Sequence, residues 1–267
     1  MHKNSIYLLV LLSLVLSCSD DSEIPVASCQ TKYLAKVNYT QQNASPVEET
    51  FIYNDQNFVS KYTTTDITWY NFSLYYQDKK LNKVDLEAHS VVNFTFYITY
   101  NANNIIEYIT RKNSTKTFDS LIFTHDNQGH VIKRDTYALS SASQKLEFFR
   151  SETFEYLGQN VNKSIYKTYF GGNLISTYIQ NFEFDTKIQP YPKEYYTFLA
   201  YIGRSFFSTN NITKLDSFDD KGNIISTQTY NHTYDNENYA TQEIIKRENN
   251  DIARTSNFTL SCDPPSK

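Results

Sequence analysis

The thiols, imidazoles and carboxylates of this 267-residue chain are its first candidates for chemistry, and their spacing decides what they could do. His125 and His130 flank a short step that reads as a turn. A metal site there needs further ligands, and His89 and His232 stand far off without ligand spacing. Asp216, Asp219 and Asp220 precede Gly222 like an incomplete calcium loop. The oxygens miss the alternate positions that such a loop requires, so a hairpin turn is expected. Neither a metal nor another cofactor is expected. A carboxylate pair for glycoside hydrolysis depends on separation in space, which the 29 scattered Asp and Glu do not disclose. The chain has no Gly-rich phosphate loop, no nucleophile elbow and no two-His helix, and is expected not to be an enzyme. Trp69 and Tyr70, within Thr68-Trp69-Tyr70-Asn71-Phe72, are candidates for a platform that takes a sugar ring or a protein partner. Packing of the sheet is the plainer use of the same rings.

Composition narrows the scaffold. There are 23 Tyr and 18 Phe against one Met, one Trp and 6 Gly. Tyr, Phe and Thr favour strands because their bulk packs on a pleated, half-buried surface, so an all-β fold is expected. Net charge is −4 without a basic block, which argues against a nucleic-acid partner.

Repetition then places the strands. An aromatic residue, Asn or Asp, a few turn residues and an apolar run recur along the chain. They read Tyr53-Asn54-Asp55-Gln56-Asn57-Phe58, then Tyr76-Gln77-Asp78-Lys79-Lys80-Leu81, then Tyr100-Asn101-Ala102-Asn103-Asn104-Ile105, at spacings of 23 and 24. His125-Asp126, Phe218-Asp219 and Tyr234-Asp235 begin later copies. Asn, Asp and Gly tolerate positive φ and close tight turns, while alternating runs on either side pair as antiparallel strands. Phe94, Phe96, Ile98 and Tyr100 would share one face. A period near 24 is one hairpin. The expected fold is an antiparallel meander of repeated hairpins, forming a long curled or half-barrel-like sheet. Pro190 and Pro192 introduce a break, so one short helical or irregular insert is expected near 190–207. Nothing cuts residues 31–262 into smaller domains, and 263–267 form a tail.

The N-terminus carries an address. An apolar stretch from Ile6 to Leu16 ends at Ser17-Cys18, and Ser19, Asp20 and Asp21 follow. This layout resembles a bacterial lipoprotein signal peptide, with Leu16 departing from the usual small residue. Its apolar core falls short of the ~20 residues that a spanning helix needs. The resemblance implies removal of 1–17, lipid on Cys18 and a tether over 18–30. The membrane, through that lipid, would be one partner. Ser19-Asp20-Asp21 also looks like the acidic surface-export signal of Bacteroidetes lipoproteins, which implies an outer-membrane, lipid-anchored protein at the cell surface. With Cys18 assigned to lipid, Cys29 and Cys262 remain, and an oxidising envelope suggests that they pair. The alternative is two free thiols in the chain ends.

The stretch from Phe182-Glu183-Phe184-Asp185 through Asp219-Asp220-Lys221-Gly222-Asn223 to Tyr234-Asp235 resembles hairpin-repeat lipoproteins of unknown function from Bacteroidetes. It is also similar to the YD-type repeats of larger bacterial surface proteins. That resemblance implies a surface-tethered β protein and transfers no catalytic residue. Asp119-Ser120-Leu121 resembles a Bacteroidetes O-glycosylation motif, with Ser120 as acceptor. The leading expectation is a non-catalytic envelope lipoprotein, a binding or structural module for glycan or protein. The alternatives are a periplasm-facing half-barrel that carries an apolar ligand and, behind it, a glycan hydrolase.

Overall fold

The computed structural model describes residues 31–42, 44–66, 69–88, 91–203 and 207–265, with backbone alone at 91–92. The expectations placed on Cys18, Ser19, Asp20, Asp21 and Cys29 lie outside the described residues.

The alternating runs are strands. β1 (Tyr33–Gln41), β2 (Val47–Tyr53), β3 (Val59–Thr64) and β4 (Asn71–Gln77) come first. β5 (Lys80–Ala88), β6 (Val91–Tyr100), β7 (Ile106–Lys112), β8 (Thr117–His125) and β9 (Val131–Leu139) continue the meander. Three longer strands follow, β10 (Leu146–Leu157), β11 (Asn160–Phe170) and β12 (Asn173–Ile188). Helix α1 (Lys193–Tyr201) then precedes β13 (Asn210–Phe218), β14 (Ile224–Tyr234), β15 (Ala240–Arg247) and β16 (Ile252–Ser261).

Each strand pairs antiparallel with its neighbour in sequence, and β1 also pairs with β16, with Val37 opposite Phe258 and Tyr39 opposite Ser256. The all-β meander stands, but the expected curled or half-barrel sheet is corrected to a closed sixteen-strand barrel. The reason is physical. Terminal strands left open would present rows of unpaired N–H and C=O groups, and closure satisfies both rows at once.

The repeated aromatic–Asx signature has a structural cause. At Asn54, Asn101, Asp126, Asp219 and Asp235 the side-chain Oδ1 accepts two backbone N–H groups, from residues two and four further on, at 2.8–3.1 Å. Each turn places a positive-φ residue three positions after the Asx, such as Asn57, Asn104 and Gly129. A register shift beside the turn keeps the preceding aromatic aimed inward. From there Tyr53, Tyr76, Tyr100 and Tyr156 donate their hydroxyls to the carbonyls of Leu34, Val59, Leu81 and Val131 at 2.8–3.0 Å. One hairpin is thereby pinned to the hairpin before it. At the corresponding place stands His125, whose buried Nε2 has no hydrogen-bond partner.

The insert expected near 190–207 is helical over Lys193–Tyr201, and Pro192 accepts the Tyr196 N–H at its start. A nine-residue helix is marginal in water, so tertiary packing must hold it. Tyr195 lies against Phe51 and stacks on Tyr62 at 4.9 Å. Phe198 meets Phe72 and Phe96, and Tyr201 meets Phe123 at 4.7 Å. These partners come from five different strands. The insert therefore crosses the inside of the barrel and fills much of the lumen that sixteen strands leave.

The opposite rows face solvent and are polar. β5 turns out Lys83 and Glu87 with Asp85 covered between its bonded neighbours, and β14 turns out Thr227, Thr229, Asn231 and Thr233. One outer unit occurs three times, a Lys-x-Asp pair bonded to a hydroxyl on the next strand. It joins Lys83, Asp85 and Thr95, then Lys133, Asp135 and Ser151, then Lys214, Asp216 and Thr227. The residue between Lys and Asp points inward: Val84, Arg134 and Leu215. Large exposed apolar side chains stand at hairpin tips, as with Phe170, Leu174, Ile175, Ile224, Ile225 and Ile252, and also along the outer wall, as with Tyr75, Tyr97, Tyr108 and Ile122.

Candidate functional site

Two chambers lie inside the barrel, against different arcs of its wall. The larger holds about 430 Å³ and is walled by Tyr39, Tyr62, Tyr191, Tyr195, Tyr196 and Tyr230. Its charged and polar groups are Glu49, Asp66, His232, Glu243 and Arg254. The strand register explains the assembly: Ile245 faces Arg254 and Glu243 faces Ser256 across β15–β16, while β16 meets β1 at Tyr39. Closure therefore brings Glu49 and Arg254, from opposite ends of the chain, into one space.

Arg254 donates to Glu243 at 2.6 Å. Burial opposes the guanidinium charge, but the adjacent carboxylate overrides it and holds Arg254 above its ordinary range. Tyr62 donates to Glu49 at 2.8 Å. Burial nevertheless pushes the Glu49 carboxyl up, against the pull of that bond and of Arg254. Burial also raises the Tyr39 phenol to about 12, helped by Glu49 and Asp66. The chamber thus offers ring faces, hydroxyl donors and carboxylate acceptors in one enclosure. Glu49 and Glu243 are both engaged by neighbouring side chains.

The smaller chamber holds about 230 Å³ and is lined by Arg111, Arg134 and Arg150 with Asp119, beside Trp69, Tyr70 and Phe149. Arg111 pairs with Asp119 at 2.5 Å. Arg134 pairs with the buried Glu152 and also donates to the Ala200 and Tyr201 carbonyls at the C-terminal end of α1, at 2.7 and 3.1 Å. A cation there complements the helix dipole. Burial pushes both Asp119 and Glu152 up, and their arginine partners oppose it. Gly203 sits tightly against Arg134, where a Cβ would come within 2.9 Å of Nη2.

The expected residues fall as follows. Trp69 borders both chambers and Tyr70 the smaller one, so both face the interior. Exposed rings on the outer wall are instead Tyr75, Tyr97 and Tyr108, two of them with a lysine over the ring, Lys83 at 3.9 Å and Lys112 at 5.5 Å. Ser120 lies in β8 opposite Thr110 and Tyr137, while the Asp119 of its motif turns into the arginine chamber. Cys262 is disulfide-bonded. His130 stacks on Tyr156 and pairs with Asp126, and Asp219 closes its turn. Among the described residues no three His, Cys, Asp or Glu gather at metal-binding range. The sequence reading passed over the inward charges Glu49, Arg111, Arg134, Arg150, Glu152, Glu243 and Arg254. Their signal was a charged residue at the inward phase of an alternating strand.

No family model matches the chain, and no curated protein matches it. Solved structures do. A porin-like protein from Bacteroides uniformis aligns with TM-score 0.53 and 14% identity, over 85% of this chain and 96% of that one. A porin-like protein from Bacteroides vulgatus aligns with TM-score 0.57 and 10% identity, over 88% of this chain and 100% of that one. The chain shares their barrel fold.

Proposed function

We propose that this chain is a non-catalytic envelope lipoprotein whose barrel stands in water and holds a small saccharide in the tyrosine chamber. The observation that carries the reading is the inversion of polarity across the wall. A barrel that spans a membrane turns an apolar band outward and a polar lining inward. Here the Lys-x-Asp units and threonine rows face out and the buried aromatic residues face in, while the exposed Tyr75, Tyr97, Tyr108 and Ile122 interrupt the polar outer wall without forming a continuous band around it. Attachment therefore falls to the Cys18 lipid. Stable anchoring takes more than one acyl chain, which the lipoprotein pathway supplies. Surface exposure rests on Ser19, Asp20 and Asp21.

The chamber's size is within the usual ligand range of about 300–1,000 Å³. Tyrosine faces suit the apolar face of a sugar ring, and the engaged carboxylates and His232 suit its hydroxyls. An apolar cargo would strand those charges without water, at high cost. Glycoside hydrolysis needs a free acid and a second carboxylate across the bond. Glu243 is committed to Arg254 and Glu49 to Tyr62, which favours binding over cleavage.

Calorimetric titration with neutral mono- and disaccharides tests this reading. Saturable binding is expected, weakened at least tenfold by Tyr196→Ala, without release of reducing ends. Binding of a fatty acid in place of sugars would return the apolar-carrier reading, and turnover would return the hydrolase.

A further inference from the structure

The smaller chamber has a charge balance that its structural duties do not explain. Three guanidinium groups line or enter it, and two carboxylates answer them. Asp119 is taken by Arg111 and Glu152 by Arg134. Among the described residues Arg150 has no carboxylate within ion-pair distance. It lies between the rings of Phe149 and Tyr166, at 5.4 and 5.9 Å. Its Nε is buried without a hydrogen-bond partner, and so are the Nε of Arg111 and Oδ1 of Asp119. Buried polar atoms left unpaired are costly and rare, and three in one small chamber are a gap in the bonding of a single place. The chamber is also reachable, since the Arg111 side chain is 35% exposed and Phe149 stands at the rim.

We infer that the arginine chamber is a binding site for an oxyanion, a carboxylate or sulfate, carried on a sugar-sized ligand. Guanidinium groups pair with such oxygens through two parallel N–H donors, in a planar geometry that ammonium groups do not offer. Arg150 supplies a guanidinium that makes no contact ion pair, Arg111 adds a second beside its Asp119 pair, and Trp69 and Tyr70 supply ring faces for the body of the ligand. Trp69 borders both chambers, so a ligand seated in either one reaches the same indole. The inference rests on reading the barrel interior as a ligand space, and it adds the charge class that the second chamber selects.

The only tryptophan of the chain is therefore a built-in reporter. The full-length protein is titrated with glucuronate, glucose and inorganic sulfate while Trp69 emission is followed. Glucuronate is expected to give a saturable change that weakens as salt rises, because exposed charge is screened. Sulfate is expected to compete with it, whereas in Tyr196→Ala, where the larger chamber is weakened, glucose at the same concentration leaves the glucuronate curve unmoved. Arg150→Gln should weaken glucuronate at least tenfold, and Arg150→Lys should restore part of the loss. Arg150 holds no contact ion pair, so Arg150→Lys is expected to keep the parent unfolding midpoint and Arg150→Gln to lose only the ring contacts while still unfolding cooperatively. A glucuronate curve unchanged in Arg150→Gln, or one that sulfate does not displace, would overturn the inference. Tyr196→Ala separates it from the saccharide reading of the larger chamber. If that variant and the parent both ignore neutral sugars while glucuronate still depends on Arg150, the anion site stands alone.

Discussion

The two chambers are built from the same kind of wall and end with opposite chemistry. Both are enclosed by inward rows of antiparallel strands and border the α1 insert. The larger gathers three carboxylates and one arginine, the smaller three arginines and one carboxylate. The Lys-x-Asp units show how one repeat allows both. On the outside Lys83–Asp85, Lys133–Asp135 and Lys214–Asp216 repeat the same bond. On the inside the intervening residue is Val84, Arg134 or Leu215. The outer row keeps the sheet, and the inner row is left to define each chamber.

The most disruptive way to break the comparison is to turn Arg134 into its apolar counterpart. Arg134→Met leaves the buried Glu152 without its contact ion pair and should cost about 3–5 kcal/mol in a denaturant titration. Replacing both partners, Arg134→Met with Glu152→Leu, should recover most of that loss, because an apolar pair of similar volume carries no desolvation penalty. Gly203→Ala comes next. Its φ of +77° and the close Arg134 predict a loss of about 2 kcal/mol, read the same way.

A gain should follow from completing the tyrosine pattern. His125 occupies a place where four other hairpins carry a bonding tyrosine, and burial lowers the pKa of its ring. His125→Tyr should stabilise the barrel by about 1 kcal/mol at neutral pH through a bond to the β7 backbone. A lowered folded value means that stability from this ring is full above the unfolded pKa of 6.5 and is lost as pH falls through the folded value. The substitution should therefore flatten the acid side of the stability curve.

The smallest effect belongs to Glu49. Its raised pKa means that the protonated form is favoured by folding, so its contribution is full below 4.5 and is lost as pH rises through the folded value. Glu49→Gln should raise the thermal midpoint slightly at pH 7 and leave it unchanged at pH 4.

Much of the scaffold was legible because its causes are local. Asn54, Asn101 and Asp126 announce their own turns, and Pro190 and Pro192 announce the insert. Closure was not legible, because the pairing of Val37 with Phe258 is decided by the curvature summed over all the strands between them. The chambers were hidden for the same reason. Glu49 meets Arg254 only through closure, and Arg111, Arg134 and Arg150 converge only once strand phase turns each of them inward. Trp69 was singled out for its type, and its place at the edge of both chambers depends on the insert.

Central to the proposed function is a barrel wall that faces water. Detergent phase partitioning of the full lipidated chain against a chain that begins at Lys32, without leader or lipid, tests this most directly. The full chain should enter the detergent phase and the leader-free barrel should remain wholly aqueous, folded and ligand-competent. A leader-free barrel that still follows the detergent would mean that the wall itself holds lipid, and the reading of an inverted barrel would fail.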